Sequence, residues 1–405
     1  MLLLSSSIFR FLFTPIFLFH NLFKLTIDQN FFMHILATAK MSGCANTLVS
    51  PIKELQRRGH QVTVYATGNE SEVRAFQDIV TEKFVPPDKD TYLQLVQKYD
   101  AVITGMSGIG SPDSEFVIAA KKAGKHSIVV ADQNSKYAQR INEENLPEIL
   151  AVMDETCKKT LEEQLGDLGR EAAKRCRVVG WTAFDRYASL REEFTTEKRV
   201  ELFQLVGINP EEQIHVHFTQ NIHPDTAYLK PFVEGKPEMY QQRKEMFAYE
   251  IKVTEKVFAA VSDLHLNLAV KPHPGEEFHQ NFTQQIAKRH GFVYLPAKSC
   301  NSQQLMLAAA SVSSPKSTVL TEGCLLGKNI GGILPDIPEQ ELEAFPSIAL
   351  GAIPYTLRWG SIYDIMQMVS SQEESDKLIL AERRKKFSVD GKASQRLADV
   401  IESLK

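Results

Sequence analysis

Two short stretches in the second half of the chain carry residue types that suit a negatively charged ligand. The first is KPHP, residues 271–274, where Lys271 and His273 alternate with two prolines directly after the apolar run LNLAV. The second is SSPKST, residues 313–318, which offers several hydroxyl groups after another apolar run. Prolines restrict the backbone, while ammonium, imidazole and hydroxyl groups donate hydrogen bonds to phosphate oxygens. The pair therefore predicts a site for a phosphate or diphosphate group.

The hydroxyls expected around this phosphate belong to Ser314, Ser317 and Thr318. Backbone amides that open the predicted helix TVLTEGCLL would add to them, because a helix start favours an anion. Glu322 follows one helical turn after Thr318, where a carboxylate suits the two hydroxyls of a ribose. Lys271 or His273 would stabilise the phosphate as it leaves a nucleotide. Each motif alone is equally compatible with an ordinary cap or strand end, so it is their co-occurrence that favours a site.

Two glycine-containing loops follow predicted strands in the first half of the chain. In MSGCANT, Gly43 would let a ligand approach the backbone, and a tight turn between strand and helix explains the stretch equally well. The GxGxxG spacing is missing, so a dinucleotide is not indicated. In GMSGIGSPDSEF, Ser111 or Asp113 could cap the next helix. The alternative function of Asp113, or of Glu115, is a general base that takes a proton from an acceptor hydroxyl.

The predicted strand HVHFTQ opens the second half of the chain. Gln220 ends it and is followed by Asn221 and His223, at a point where polar side chains can reach a ligand. His215 and His217 alternate within the strand and therefore share one face. A metal site would need further ligands at suitable positions, and the sequence offers none. We therefore interpret these two histidines as part of a packed strand and predict no metal.

The composition of the 405-residue chain, with 43% hydrophobic and 24% charged residues, is that of an ordinary folded protein. This length favours two hydrophobic cores. The net charge is −4, from 46 Lys and Arg against 50 Asp and Glu, which argues against nucleic acid as a partner. The five cysteines show no CxxC and no paired spacing. A disulfide framework and a zinc site are therefore disfavoured, and a cytoplasmic location is favoured.

Residues 1–32 are rich in Phe and Leu, but Arg10, Pro15 and Lys24 interrupt any run that would span a bilayer comfortably. The segment also lacks a small-residue cleavage site of the signal-peptide type. A strand is predicted from Met33 with almost no spacer. Two interpretations stay open: a spurious or dispensable extension, and an anchor for peripheral association with the inner face of the membrane.

From Met33 onwards, predicted strands alternate with amphipathic helices, which predicts parallel sheets of the doubly wound α/β class. Residues 33–190 form the first predicted domain, with a helical stretch over residues 146–176. Residues 191–380 form the second domain, and residues 381–405 form a helical tail. We expect an α/β protein with two Rossmann-like domains facing across a cleft. Such sheets bind ligands beyond the carboxyl ends of their strands, where all of the motifs above lie.

With these motifs in place, most of the chain from Met33 resembles the two-domain GT-B fold of nucleotide-sugar-dependent glycosyltransferases. KPHP resembles the lysine-and-HP motif of bacterial polysialyltransferases, Kdo-transferases and CDP-glycerol glycerophosphotransferases, and SSPKST resembles their serine-rich phosphate-binding motif. STVLTEGCLLGKNIGGI looks like the stretch by which GT-B enzymes hold the donor phosphate and ribose. VVGWTAFDRY resembles the GxPxxD end of their first domain, and DGKASQR resembles a C-terminal signature of several of these groups.

The resemblance implies metal-independent transfer of a sugar from a nucleotide-sugar donor to a hydroxyl acceptor, in bacterial glycan or glycoconjugate synthesis. The donor, of the UDP, CMP or CDP type, would bind to the second domain, and no separate cofactor is implied. A glycan or lipid-linked acceptor would bind to the first domain. His273 and Lys271 would steady the leaving phosphate, and Asp113 would be the base.

The sequence departs from these families at several positions. The Asp/Glu–Asp/Glu–Gly base motif of the sialyltransferases is not apparent. Non-hydrolysing UDP-N-acetylglucosamine 2-epimerases share the fold, but their GDT reads GMS at residues 105–107. Their His–Glu–Ala–Gly segment is replaced around VVADQN, and their His-Arg-Arg-Glu-Asn stretch reads TQNIHPDT. Because these changes remove acid and base carboxylates that epimerisation needs, an epimerase is the alternative function. A non-catalytic nucleotide-sugar-binding protein is a further one.

Overall fold

The computed structural model describes residues 32–66, 76, 79, 81–83, 89–134, 136–220, 237–273, 281–371, 377–387 and 389–405. The predicted extension up to residue 31 lies outside this set, as do Asn221, His223 and Pro274. The chain divides into two compact units. Unit one runs up to Ala183 and also contains Lys392–Lys405, whereas unit two is Phe184–Gly391. The boundary predicted from the sequence lies after residue 190. Residues 381–405, predicted to form a single helical tail, belong partly to unit two and partly to unit one.

Two parallel sheets form the frame of the described residues, one in each unit. The strands of unit one are β1 His34–Thr38, β2 Gln61–Ala66, β3 Thr81–Lys83, β4 Ala101–Gly105, β5 His126–Val130, β6 Ile149–Val152 and β7 Cys176–Val178. They lie in the order β3-β2-β1-β4-β5-β6-β7. The strands of unit two are β8 Ile214–Phe218, β9 Asn267–Lys271, β10 Val293–Tyr294, β11 Ser311–Ser314, β12 Asn329–Ile333 and β13 Tyr355–Thr356. They lie in the order β10-β9-β8-β11-β12-β13. The order therefore reverses between β1 and β4 and again between β8 and β11, which is where open α/β sheets bind ligands.

The helices connect these strands in chain order. Those of unit one are α1 Ser42–Arg57, α2 Lys89–Val96, α3 Pro112–Ala123, α4 Thr156–Leu165 and α5 Asp167–Arg175. Those of unit two are α6 Tyr187–Glu193, α7 Thr196–Leu205, α8 Pro237–Asp263, α9 Asn281–Arg289, α10 Ser302–Ala308, α11 Val319–Leu325, α12 Pro346–Ala349, α13 Ile362–Ser371 and α14 Lys377–Lys386. The last helix, α15 Ala393–Glu402, returns to unit one.

Local signals explain the limits of α3. Ser111 is its N-cap and accepts a hydrogen bond from the Ser114 amide at 3.3 Å, with Pro112 at the first helical position. Gly124 ends the helix with φ +63°, a conformation that glycine adopts without a steric penalty. Ser111 therefore caps α3, and the carboxylate of Asp113 is available for another role.

The start of α1 differs from the prediction, because the stretch MSGCANT is not a turn: the helix begins at Ser42 and continues through Pro51. A proline lacks the amide that would bond to the carbonyl four residues earlier, here that of Thr47. The buried hydroxyl of Thr182 donates to that carbonyl at 2.7 Å instead. This long-range hydrogen bond replaces the missing helical one, so the helix tolerates its internal proline.

The predicted helical stretch 146–176 was wrong at its beginning, where ILAV forms the fully buried strand β6. A short apolar run cannot be assigned to strand or helix by periodicity alone. Here pairing with β5 and β7 decides the outcome, since it places these residues inside the sheet.

Each unit has its own hydrophobic core. In unit one, α1 covers the face of β1 and β4, and Leu397, Ala398 and Ile401 of α15 are fully buried in the same cluster. In unit two, α8 packs through Phe258 and its neighbours against β9 and α13. Burial of such apolar side chains contributes roughly 1.5–3 kcal/mol each. These cores fix the sheets whose carboxyl ends carry the predicted site residues.

Candidate functional site

The carboxyl ends of three neighbouring strands bring the predicted site residues of unit two together. Lys271 ends β9 and His273 follows it, while Gln220 lies two residues beyond β8. Ser314 ends β11 and leads into the rest of SSPKST. Because β9, β8 and β11 are adjacent in the sheet, all of these residues lie along one edge. We refer to it as the unit-two edge.

Lys271 and His273 differ in their surroundings. Lys271 is only 2% exposed, and its ammonium donates to the carbonyls of Pro296 and Ala297 at 3.0 and 2.7 Å. The lysine therefore ties β9 to the loop after β10. His273 is exposed, although neighbouring atoms exclude enough water from its ring to lower the imidazole pKa. An anionic ligand would raise that pKa again.

The serine-rich stretch divides into buried and open parts. The hydroxyl of Ser314 is buried and donates to the Phe218 carbonyl at 3.1 Å, which links β11 to β8. Ser317 is half-buried and accepts from the Val319 amide at 3.2 Å, and Thr318 is exposed. The backbone amides of Lys316, Ser317 and Thr318 donate to no other group within the described part of the chain. Three successive amides are thus open to an acceptor at the unit-two edge.

Glu322 is held by donors that the sequence did not predict. Its Oε2 accepts from the Tyr187 hydroxyl and from Gln303 Nε2, both at 2.9 Å. Its Oε1 accepts from the hydroxyl of Thr318 at 3.4 Å. Burial, together with the adjacent carboxylate, raises the pKa of Tyr187, so this hydroxyl stays protonated and donates. Tyr187 lies 135 residues before Glu322, and no local signal could have paired them.

A second group of polar side chains lies at the carboxyl edge of unit one. Asp113 is 2% exposed, and both of its oxygens are hydrogen bonded. Oδ1 accepts from the Lys40 amide at 2.9 Å, and Oδ2 accepts from the hydroxyl of Ser107. The carboxylate therefore joins the loops that follow β1 and β4.

Asp132, just beyond β5, was missed by the sequence analysis. Its Oδ1 accepts from Arg140 at 2.5 Å, and the same guanidinium nitrogen donates to the Met106 carbonyl at 2.6 Å. A Cβ at Gly43 would lie 3.2 Å from Asp132 Oδ2. Gly43 therefore leaves room beside this oxygen, which accepts no hydrogen bond from the residues described here.

Cys44 lies beside the same carboxylates. Its thiol is buried, and burial raises its pKa, with Asp132 and Asp113 adding to the effect. The thiol therefore stays protonated at neutral pH, which excludes it as a nucleophile. A Cβ atom at Gly105 would lie 2.3 Å from the Cβ atom of Cys44. The close approach of α1 to β4 therefore requires a glycine at position 105.

Asp113 also lines a small cavity of about 20 Å³. Thr104, Ser107, Arg140 and Asn145 line it with other residues. This volume holds about one water molecule. The buried hydroxyl of Thr104 has no hydrogen-bond partner within the described ranges of the chain. The cavity is therefore suited to a structural water and is too small for a substrate.

Neither a metal cluster nor a membrane-spanning helix is found in the part of the chain that the structure describes. No three or more His, Cys, Asp or Glu side chains are grouped so that they could hold a metal ion. No helix combines the length and the apolar character needed to cross a bilayer.

No protein-family model and no curated protein matches the sequence. Solved structures do match, at low identity. A UDP-GlcNAc 2-epimerase from Neisseria meningitidis bound to UDP-GlcNAc is 14% identical, with a TM-score of 0.60 over 91% of this chain and 99% of that one. MurG from Acinetobacter baumannii is 13% identical, with a TM-score of 0.51 over 91% and 96%. The wall teichoic acid polymerase TagF is 11% identical, with a TM-score of 0.56 over 91% and 88%. Together with the two Rossmann-like units, these matches show that the chain has the GT-B fold predicted from its sequence.

Proposed function

We propose that the protein is a glycosyltransferase that transfers a sugar from a nucleotide-sugar donor, bound at the unit-two edge, to a hydroxyl acceptor. The observation that carries this proposal is the convergence of an exposed histidine, open backbone amides and an oriented carboxylate at one edge. These groups belong to His273, to Lys316–Thr318 and to Glu322. The edge lies where the strand order reverses, the usual ligand position of such sheets.

The donor phosphates would meet the open amides together with Ser317 and Thr318. His273 is the exposed group that would donate to the departing phosphate, and its protonated form would stabilise the charge that develops there. Lys271 would add positive charge from within the edge. Ser314 would act indirectly, since its hydroxyl is used to join β11 to β8.

Glu322 is suited to the ribose of the donor. Its carboxylate is oriented by Tyr187 and Gln303, which leaves acceptor capacity on Oε1, where the contact with Thr318 is long at 3.4 Å. Gln220 lies along the same edge and would contribute a polar contact to the donor.

The acceptor would bind at the carboxyl edge of unit one, where two carboxylates are candidate bases. Asp113 has both oxygens occupied by protein donors. Asp132 is fixed through Oδ1, while Oδ2 lies beside the space left by Gly43. A general base must reach the proton that it abstracts. Asp132 is therefore the second candidate beside the predicted Asp113.

A UDP-N-acetylglucosamine 2-epimerase remains the alternative function. Asp132 favours it, because this residue supplies a carboxylate within VVADQN, the segment that replaces the His–Glu–Ala–Gly segment of the epimerases. An epimerase would convert UDP-N-acetylglucosamine to its 2-epimer with no acceptor present. Proton NMR of UDP-N-acetylglucosamine incubated with the protein and no acceptor would separate an epimerase from a glycosyltransferase.

The proposal is tested by thermal shift with UDP, CMP, CDP and GDP, because a ligand that binds the native state raises its unfolding temperature. We expect one nucleotide to stabilise the protein, and His273→Asn to reduce that shift. The matched control is His265→Asn, an exposed histidine before the amino end of β9. It should leave the shift unchanged. If no nucleotide stabilises the wild-type protein, the proposed donor site is wrong.

A further inference from the structure

Four buried side chains form a continuous hydrogen-bonded row between β8 and β11. His215 Nδ1 lies 2.7 Å from Ser311 Oγ, and its Nε2 lies 2.8 Å from Ser313 Oγ. The same Ser313 oxygen lies 2.8 Å from His217 Nδ1. We call this row, Ser311–His215–Ser313–His217, the His–Ser ladder. All four residues are at most 2% exposed.

The ladder has only two neutral arrangements, because Ser313 has a single proton and two nitrogen neighbours. If Ser313 donates to His217, it must accept from Nε2 of His215, and Ser311 then donates to His215. If Ser313 donates to His215 instead, all three hydrogen bonds run the other way. Each histidine tautomer therefore determines the other. Burial lowers the pKa of both rings to about 3, which keeps the ladder neutral at physiological pH.

Apolar side chains would fill this part of the sheet without such constraints. The ladder instead leaves Nε2 of His217 buried with no hydrogen-bond partner among the residues that the structure describes. An unpaired buried polar atom is destabilising, so its presence calls for a reason other than packing. The His217 ring also lies edge-on to Phe258, with ring centroids 6.2 Å apart.

The position of the ladder supplies that reason. Ser313 directly precedes Ser314, and His217 directly precedes Phe218, the two residues joined by the link that closes the strand ends. Immediately beyond them lie Gln220 on one side and the open amides of the serine-rich stretch on the other. Any sliding or spreading of β8 against β11 would change the distance between these groups.

We propose that His215, His217, Ser311 and Ser313 are positioning residues that hold β8 and β11 in one register and so preorganise the phosphate-binding groups of the unit-two edge. This inference rests on the proposed nucleotide site. The ladder touches no ligand itself. Its directional hydrogen bonds fix the strands more narrowly than apolar packing would, since apolar contacts tolerate small shifts.

The experiment measures UDP affinity by calorimetry together with the unfolding midpoint. Ser313→Ala removes the central hydroxyl, and His217→Leu removes one ring without leaving any nitrogen unpaired. Ser313→Thr keeps the hydroxyl. The matched control is Val312→Ala, a fully buried residue of the same strand on the opposite face. It creates a cavity but leaves the ladder intact.

We expect Ser313→Ala and His217→Leu to weaken UDP binding by about tenfold, which corresponds to about 1.4 kcal/mol. Ser313→Thr should retain most of the affinity. Val312→Ala should lower the unfolding midpoint and still bind UDP as the wild type does, so that affinity and stability are separated.

Unchanged affinity in both ladder variants would overturn the inference and leave the ladder a packing feature. An equal loss of affinity in Val312→Ala would also overturn it, because general loosening would then explain the result. If CMP, CDP or GDP stabilises the wild-type protein but UDP does not, that nucleotide replaces UDP as the probe. If the wild-type protein binds none of the four nucleotides, the proposed function is wrong, and the proposed role of the ladder is wrong with it.

Discussion

Asp132 and Asp113 show how two carboxylates at one edge can differ in what they can do. Asp113 is enclosed by the Lys40 amide and the Ser107 hydroxyl, whereas one oxygen of Asp132 lies beside the glycine of α1. The first arrangement suits a structural role and the second leaves an oxygen for a substrate proton. Matched amide substitutions at the two positions can therefore separate structure from chemistry.

We predict that Asp132→Asn lowers the turnover of donor by about 10²–10⁴-fold, the usual contribution of a general base. Nucleotide affinity should not change, because the proposed donor site is in the other unit. Asp113→Asn should instead lower the stability of unit one, since an amide cannot accept both hydrogen bonds equally well. Turnover, calorimetry and urea unfolding measure the three quantities. A large loss of turnover in Asp113→Asn alone would return the role of base to Asp113.

The sequence predicted which residues of unit two gather at one edge, but not what each side chain would touch. Strand ends can be read from local patterns, and parallel strands bring them together. The partners of Ser314, Lys271 and Glu322 come from other strands, loops and helices. Those contacts depend on how the sheet is assembled, and no spacing within a motif encodes them.

At the scale of single elements, α1 depends on a residue far away in the chain. The Thr182 hydroxyl replaces the amide that Pro51 lacks, at the carbonyl of Thr47. The same reasoning explains why the start of this helix could not be predicted. Small and polar residues together with a proline resemble a turn, and tertiary contacts override that local preference.

We predict that Thr182→Val destabilises unit one by about 1–2 kcal/mol, because it leaves a buried carbonyl without a donor. Pro51→Ala supplies the missing amide, so the cost of Thr182→Val should be much smaller in that background. Urea unfolding followed through Trp181, with Trp359 replaced by Phe, reports on unit one alone. Equal costs in both backgrounds would mean that the Thr182 hydrogen bond does not serve the helix.

At the scale of the whole molecule, the buried histidines should make unit two sensitive to acid. Their pKa is about 3 when folded, against about 6.5 for a solvated histidine. Between these values the unfolded chain binds more protons than the folded one. These two histidines therefore do not change the free energy of unfolding above about pH 6.5. Below that pH they lower it, by up to about 1.4 kcal/mol per pH unit for each histidine.

This acid sensitivity can be measured in unit two alone, because the chain has two tryptophans and only Trp359 lies in that unit. Urea unfolding of a Trp181→Phe protein between pH 7 and 4 should show the predicted decline. His217→Leu should make the decline shallower, since one of the two rings is removed. An identical decline in both proteins would show that other groups control it.

The return of α15 to unit one also bears on the order in which the protein is made. Leu397, Ala398 and Ile401 belong to the core of a unit whose sheet is encoded more than 200 residues earlier. During synthesis, the residues of unit two leave the ribosome before that core can be completed. Unit two can therefore fold before unit one is complete. Until residues 393–402 emerge, the face of unit one that α15 covers stays exposed to solvent.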